Sequence, residues 1–137
     1  MYKRQTDEPN LVKAAQKVME LGPKIVVAKQ GEYGATLFTA DGDVFSLPAF
    51  PIAEVVDPTG AGDSFAGGFI GYIAATDGEV TTDVLRTALA YGTAMGSFNV
   101  EGFGTERVAA LEAAEITERV AALQAMTTFE PGSPALR

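Results

Sequence analysis

The segment from Val55 to Ile73, VVDPTGAGDSFAGGFIGYI, contains the residues of this chain that are best suited to chemistry. Its pattern predicts a short strand, a glycine-rich turn and a helix. Gly60 and Gly62 carry no side chain, so the backbone can adopt positive φ and a ligand can approach it closely. The amides from Gly60 to Asp63 can then point at one spot beside the positive end of the helix dipole. This arrangement predicts an anion site suited to the phosphoryl group of a nucleotide.

Asp63 falls in the first turn of the predicted helix, beside this anion site. Its carboxylate could accept the proton of an attacking hydroxyl while the amides hold the phosphoryl group. The chain has no histidine and no cysteine, so acid–base chemistry falls to Asp, Glu, Lys or Tyr. Considered alone, an aspartate at this position is more often a helix cap. The surrounding glycines favour the catalytic interpretation, and we expect Asp63 to be a general base.

Three further glycines, Gly67, Gly68 and Gly71, lie inside the same predicted helix. Each costs about 1 kcal/mol relative to alanine in a helix interior. Close packing of the helix or a nearby ligand would each explain them. The sequence leaves these two explanations open.

One helix followed by several strands is predicted before this segment. A helical face predicts a helix over Leu11–Leu21, and the apolar run Lys24–Lys29 predicts a strand buried on both faces, as in a parallel sheet. Two further strands, Ala35–Thr39 and Val44–Leu47, are predicted to form a hairpin around Asp41-Gly42-Asp43. Glu54–Val56 predicts another short strand that leads into the glycine-rich turn.

Helical patterns dominate after Asp63. Thr81 or Thr82 can cap a second helix, and Thr105 can cap a third after a loop from Ser97 to Gly104. The last helical face carries an i,i+4 pair on its outer side, Glu115 and Arg119. Strands first and helices last indicate an α/β chain. A complete doubly wound domain would alternate over a longer stretch, so we expect truncation on the N-terminal side.

Composition narrows the classes of function. The chain has 137 residues and a net charge of −8, with no basic cluster, which argues against binding to nucleic acid. No window approaches the ~20 apolar residues of a membrane span, and the polar start is not a secretory signal. With no cysteine, disulfides and thiolate metal sites are excluded, and a cytoplasmic location is expected. An anionic ligand such as ATP would need help from backbone amides, a lysine or a metal ion.

Three segments together resemble one known family. Asp57-Pro58-Thr59-Gly60-Ala61-Gly62-Asp63, followed by Ser64 to Ile70, resembles the C-terminal signature of the PfkB (ribokinase-like) carbohydrate kinases. Val26 to Ala35 is similar to the strand–Gly-x-x-Gly segment of that family. Ser97 to Gly104 resembles its loop over the adenine and a monovalent cation. The resemblance runs from Leu11 to Gln124 and implies the C-terminal part of a three-layer α/β/α fold of the ribokinase type.

This resemblance implies ATP-dependent phosphorylation of a hydroxyl on a sugar or related small molecule, with Mg²⁺ and possible K⁺ as cofactors. Asp63 would be the catalytic base, and the amides of Gly60, Ala61 and Gly62 would stabilise the transferred group. The nucleotide would be lined by Lys29, Gly31, Gly34 and Asn99. A potassium-like cation would be held by Asp57, Thr59, Ser97 and Gly102. Lys29 could equally be a surface lysine, and Asn99 a turn residue.

Departures from the family pattern accompany the resemblance. Pro58 stands where many members have threonine, and the Asn-x-x-Glu segment that arranges Mg²⁺ in the family does not occur before Leu11. Weak ATP binding or inactivity of this chain alone is therefore left open. We expect residues 1–10 to be a non-family or disordered leader, residues 11–126 the kinase portion and residues 127–137 a tail.

Other functions fit the residues less well. An aspartic protease needs Asp-Thr/Ser-Gly twice, whereas Pro58 interrupts the only approximate copy in this chain. A Walker P-loop is excluded because the chain contains no Gly-Lys-Ser/Thr. A non-catalytic remnant that folds only in an assembly stays open, and would expose an apolar face. Within the kinases, a nucleoside such as adenosine is the second substrate class, and a homodimer is one possible assembly.

Overall fold

The computed structural model describes residues 7–133, and the outer parts of the predicted leader and tail lie outside them. Within these residues, the regular elements are five α-helices, three β-strands and one 3-10 turn. In chain order they are α1 (Leu11–Glu20), β1 (Ile25–Lys29), the 3-10 turn (Gly31–Tyr33), β2 (Ala35–Thr39), β3 (Val44–Leu47), α2 (Ala61–Ala75), α3 (Thr82–Asn99), α4 (Glu106–Ala109) and α5 (Ala113–Thr127). None of these helices combines the length and apolar character that crossing a membrane requires.

The strands form one sheet in the order β1-β2-β3, and both pairs are antiparallel. The predicted hairpin is confirmed, with Phe38 opposite Val44 next to its turn. The prediction of a parallel, doubly buried strand at residues 24–29 is wrong: β1 runs antiparallel to β2, and Ile25 to Ala28 are only half-buried. A short apolar run carries no information on strand direction. Within the described chain, no strand pairs with the outer edge of β1.

The predicted strand at Glu54–Val56 is also absent. The Val56 N–H donates instead to the Val100 carbonyl oxygen at 2.8 Å, at the C-terminal end of α3. Val55 and Val56 are 55% and 41% exposed, so their apolar side chains are not buried against the sheet. The β-branched residues mark extended backbone, but a strand also needs a neighbour with which to form a ladder.

Helices α2 and α3 pack closely because glycine removes side chains at their contact. A Cβ atom built on Gly68 would lie 2.8 Å from the Tyr91 carbonyl oxygen, and one on Gly92 would lie 2.9 Å from that of Phe65. Close packing therefore explains Gly68. Gly67 and Gly71 face open space instead. The core lies between α3, the sheet and the other long helices, and it includes Leu37, Leu47, Phe69, Leu85, Ala88, Leu89 and Leu123.

The predictions for helix caps and for the surface ion pair are only partly confirmed. The predicted cap at Thr81 is confirmed, since its hydroxyl accepts from the Val84 N–H at 3.3 Å. Thr105 precedes α4 but makes no side-chain cap bond. The prediction that Arg119 lies on an outer face is wrong, because its side chain is 16% exposed and pairs with Glu101 at 2.7 Å. Glu115 pairs with Arg107 at 2.6 Å instead.

Gly34 lies in the connection from β1 to β2, and Gly42 in the connection from β2 to β3. The two glycines allow a matched test of how close packing, beyond backbone conformation, affects stability. Both have positive φ, +100° and +90°, but a Cβ on Gly34 would overlap the Leu47 carbonyl oxygen, whereas one on Gly42 meets nothing within 4 Å. We expect Gly42→Ala to lower the free energy of unfolding by about 1–2 kcal/mol, the cost of the backbone conformation alone. Gly34→Ala should cost about 1–3 kcal/mol more, because the added methyl group is overpacked. Urea unfolding followed by circular dichroism measures both, and equal losses would contradict this account.

Candidate functional site

The centre of the site is a sharp bend at Gly60, directly before α2. Gly60 adopts φ 82° and ψ −5°, in the left-handed region, and occupies the N-cap position of the helix. Before the bend, the Asp57 carboxylate accepts a hydrogen bond from the Thr59 N–H at 2.9 Å. The predicted glycine-rich bend is therefore present. We call residues 57–63 the Gly60 turn.

The amides of this turn divide into two groups. The Ala61 N–H donates to the Pro58 carbonyl at 3.3 Å, and the Asp63 N–H donates to the Gly60 carbonyl at 3.0 Å. The N–H groups of Gly60 and Gly62 have no hydrogen-bond acceptor among residues 7–133. Two of the four amides predicted for an anion site are thus unpaired, and both belong to glycines. Hydrogen-bond donors at the first turn of a helix attract anions because the helix dipole adds to their charge.

Asp63 is the third residue of α2, and its side chain is exposed. The interpretation of Asp63 as a simple helix cap does not hold, because Gly60 takes the cap position and the helix start has no side-chain cap bond. Within the described residues, the Asp63 carboxylate has neither a hydrogen bond nor an ion pair. It therefore stands open to a ligand beside the Gly60 turn.

Lys29 brings a positive charge to the same place. Its Nζ atom donates to the Gly62 carbonyl oxygen at 3.0 Å and lies 5.8 Å from the centroid of the Phe65 ring. A Cβ atom on Gly62 would approach that Nζ to 2.8 Å, so the glycine makes room for the lysine. Lys29 thus lies at the turn rather than pointing away from the molecule.

A cleft of about 930 Å³ opens beside the Gly60 turn. Its walls come from the 3-10 turn and its flanks, the segment after β3, the start of α2 and the end of α3. Six of the predicted site residues line it, and several apolar side chains complete it. These residues are Lys29, Gly31, Gly34, Ala61, Gly62 and Ser97, with Phe50, Ile52, Val55, Phe65 and Val100 among the apolar ones.

Asn99, predicted to line the nucleotide, lies beneath the turn and is 2% exposed. Its Nδ2 atom donates to the Thr59 carbonyl at 2.7 Å, and its Oδ1 atom accepts from the Ser64 hydroxyl at 2.8 Å. The side chain is thereby engaged at both ends. The resemblance to the family gave no indication of these contacts.

The residues predicted to hold a monovalent cation lie in two neighbouring segments. The Thr59 backbone N–H and hydroxyl, aided by the Gly104 N–H, lower the pKa of Asp57 below its ordinary value, so its carboxylate stays charged. The Ser97 hydroxyl donates to the Ala94 carbonyl at 2.6 Å and accepts from Arg119 at 3.1 Å. The Gly102 N–H donates to the Asn99 carbonyl at 3.4 Å.

The donor set of this region fits a cation at Asp57 better than at the Ser97 side chain. The Asp57 carboxylate is charged and flanked by Thr59, whereas the Ser97 hydroxyl already accepts a hydrogen bond from the Arg119 guanidinium, whose charge would repel a second cation. Residues 7–133 contain no group of three or more His, Cys, Asp or Glu side chains placed to hold a metal ion.

A cluster of charged side chains around Phe98, which was not predicted from the sequence, supports the end of α3. The guanidinium of Arg119 lies 3.5 Å from the centre of the Phe98 ring, and that of Arg107 lies 4.9 Å from it. Glu101 pairs with both arginines, at 2.7 and 3.3 Å. The only local signal was Glu101, an acidic residue in the predicted loop, and nothing in the spacing connects it to two arginines on later helices.

The sequence model of the pfkB family carbohydrate kinases matches residues 1–112 of this chain. A nucleoside kinase of Methanothermobacter thermautotrophicus is 39% identical over 88 residues, which make up 64% of this chain and 25% of that protein. The chain therefore spans about a quarter of the length of this relative.

Two solved structures share the fold. A fructokinase from Vibrio cholerae O395, solved with fructose, ADP and calcium ion, has a TM-score of 0.76 at 18% identity and covers 87% of this chain and 38% of its own. Aminoimidazole riboside kinase from Salmonella enterica, solved with aminoimidazole riboside and an ATP analog, has a TM-score of 0.73 at 27% identity, over 88% of this chain and 39% of its own. They confirm the predicted ribokinase-like α/β fold, of which this chain forms a part. Because the family model matches most of its residues, this chain belongs to the pfkB family of carbohydrate kinases.

Proposed function

We propose that this chain supplies the phosphoryl-transfer site of an ATP-dependent kinase that acts on a hydroxyl of a sugar or nucleoside. The observation that carries the proposal is the Gly60 turn, where two unpaired amides lie beside the open carboxylate of Asp63. Phosphoryl transfer needs positioning and charge stabilisation more than covalent chemistry from the protein. The turn offers both within a few residues.

The electrostatics of the turn support an anionic ligand in an otherwise acidic chain. The net charge of −8 would repel ATP, so binding requires a local excess of positive charge. The unpaired N–H groups of Gly60 and Gly62, the start of α2 and the Lys29 ammonium group provide it. Phosphate oxygens placed against Gly60 and Gly62 would replace the missing hydrogen-bond acceptors.

The cleft supports a place for the nucleoside part of ATP. Its volume of about 930 Å³ falls at the upper end of the usual range for small-molecule sites. Phe50, Ile52, Phe65 and Val100 give it apolar walls, which suit a planar base, while Gly62 and Lys29 lie at the phosphate end. The relatives solved with ADP or an ATP analog are consistent with this use.

The proposed reaction uses Asp63 as a general base. Its carboxylate takes the proton from the substrate hydroxyl as that oxygen attacks the γ-phosphorus of ATP. The bond from the γ-phosphorus to the bridging oxygen breaks, and ADP leaves with the electron pair. The amides of Gly60 and Gly62 stabilise the charge on the transferred group. The products are a phosphate ester, ADP and one proton.

Cations enter the proposal in two ways. Mg²⁺ in nucleotide sites is bound largely by the phosphates and waters, with one or two carboxylates, so it would arrive with ATP. Asp57 and Thr59 would hold K⁺, whose charge would add to that of the turn. A cytoplasmic location, a homodimer and the predicted domain boundaries stay predictions.

A nucleoside substrate is the second candidate within the same chemistry. A nucleoside kinase is 39% identical to this chain over 88 residues, and the neighbour at 27% identity is a riboside kinase.

A second alternative is that this chain works only together with further protein, and one observation favours it. Ile70 on α2 is 61% exposed, and Gly67 and Gly71 beside it face open space, which leaves an apolar helix face uncovered.

The role of Asp63 is tested by Asp63→Asn, which keeps the shape and removes the base. We expect turnover to fall by about 10²–10⁴-fold with the KM for ATP nearly unchanged, because the phosphate contacts remain. ADP release is measured in a full-length PfkB kinase into which residues 25–104, which include Lys29, are grafted. Asp77→Asn, after the other end of α2, removes the same charge and should leave turnover intact. Normal turnover in Asp63→Asn would rule out the base.

The anion site is tested by Gly62→Val, whose side chain would displace the Lys29 ammonium group and cover the Gly62 amide. We expect the affinity for a non-hydrolysable ATP analogue, measured by calorimetry in the same graft, to fall at least about tenfold, a loss of about 1.4 kcal/mol. Thr82→Val introduces the same residue at the exposed first position of α3, at the opposite end of that helix from the turn. It should bind like the parent. Equal affinities for the two variants would contradict the anion site.

A further inference from the structure

The Gly60 turn depends on a residue far from it in sequence. Asn99 is the last residue of α3 and one of the most buried polar side chains in the described chain, at 2% exposure. A Cβ atom on Gly60 would lie 3.4 Å from its Oδ1 atom, so the amide packs directly against the bend. A buried amide is costly unless all its polar groups are satisfied, and here both ends have partners.

The two partners of Asn99 lie on opposite sides of the bend. The Thr59 carbonyl, which accepts from Nδ2 at 2.7 Å, precedes Gly60, and the Ser64 hydroxyl, which donates to Oδ1 at 2.8 Å, follows it. One rigid planar group therefore fixes the separation of the two arms. A side chain that lost either hydrogen bond would leave a buried polar group unpaired.

The Gly62 N–H lies in the first turn of α2, where backbone amides have no intrahelical acceptor. In a tight turn or helix start, the Thr59 carbonyl would be the natural acceptor for the Gly62 N–H, three residues later. Asn99 occupies that carbonyl from below, and the Gly62 N–H has no acceptor within residues 7–133. A carbonyl oxygen can accept two hydrogen bonds, so Asn99 does not block this acceptor; its bond instead fixes where the Thr59 carbonyl lies relative to the open Gly62 donor.

The support is itself held in place. The Val100 carbonyl, next in sequence to Asn99, accepts from the Val56 N–H at 2.8 Å, which ties the approach to the turn onto the same end of α3. Phe98, on the other side of Asn99, packs against the Arg119 guanidinium at 3.5 Å from its ring centre. Three successive residues at the C-terminal end of α3, Phe98, Asn99 and Val100, are therefore anchored on different partners.

We propose that Asn99 is a positioning residue, which holds the Gly60 turn in the bend that exposes the Gly62 amide, rather than a residue that contacts the nucleotide. Its effect on catalysis rests on the proposed kinase function, but its effect on the turn does not. The two can therefore be tested separately.

The variant Asn99→Asp keeps the size and shape of the side chain but, when ionised, loses the donor to Thr59. In this chain, we expect the amide NMR signals of Gly60 and Gly62 to shift at about pH 8, where a carboxyl group is ordinarily ionised. The control Leu89→Val lowers stability within the same helix without reaching the turn, and should leave both signals in place.

Catalysis supplies a second, independent readout in the grafted kinase. We expect Asn99→Asp to lower kcat by about tenfold at pH 8, with the KM of the hydroxyl substrate within about twofold, because the open amide acts mainly on the transferring group.

The outcomes separate the two ideas. Unchanged Gly60 and Gly62 signals in Asn99→Asp, or shifts equal to those of Leu89→Val, would overturn the role of Asn99. Shifted signals with full turnover would retain Asn99 as the support of the turn and count against the proposed function. Should Asn99→Asp fail to fold, Ser64→Ala removes only one arm of the contact, and it should shift the same two signals by a smaller amount.

Discussion

The hydrogen bond from the Asn99 side chain to the Thr59 carbonyl is the contact on which the arrangement of the site depends. A glycine in the left-handed conformation permits the bend but does not by itself determine the geometry of the turn, because several turn types use the same backbone angles. The buried amide fixes the bend by holding the Thr59 carbonyl on one side of it and the Ser64 hydroxyl on the other. The Gly62 amide and the first turn of α2 lie directly after this bend, and the Lys29 ammonium group donates to the Gly62 carbonyl.

Other parts of the fold make this contact possible. Gly68 and Gly92 let α2 and α3 approach closely enough for the end of α3 to lie beneath the turn. The aromatic ring of Phe98, held between two guanidinium groups that share Glu101, fixes that end against α4 and α5. Helices that contribute nothing to the cleft therefore influence it through the residue next to Phe98.

The features that the sequence predicts well are the ones encoded by adjacent residues. The hairpin at Gly42, the cap at Thr81 and the bend at Gly60 each depend on a few neighbours in the chain, and all three are present. The misassigned features depend on distant partners. The direction of β1 is set by pairing with β2, Val56 bonds to Val100, and Arg119 turns inward because Phe98 and Glu101 lie across from it. The role of Asn99 belongs to this second class, since Thr59 lies 40 residues away.

The outer edge of β1 has a consequence for the behaviour of the isolated polypeptide. Its outward N–H and C=O groups have no strand beside them in the described part of the chain, and its middle residues are apolar and half-buried. Such an edge can template hydrogen bonding with a foreign strand, which is a common origin of self-association and aggregation. Lys24 and Lys29 flank it with like charges, which oppose stacking of identical edges. The solubility of the polypeptide should therefore depend on ionic strength, because salt screens that repulsion.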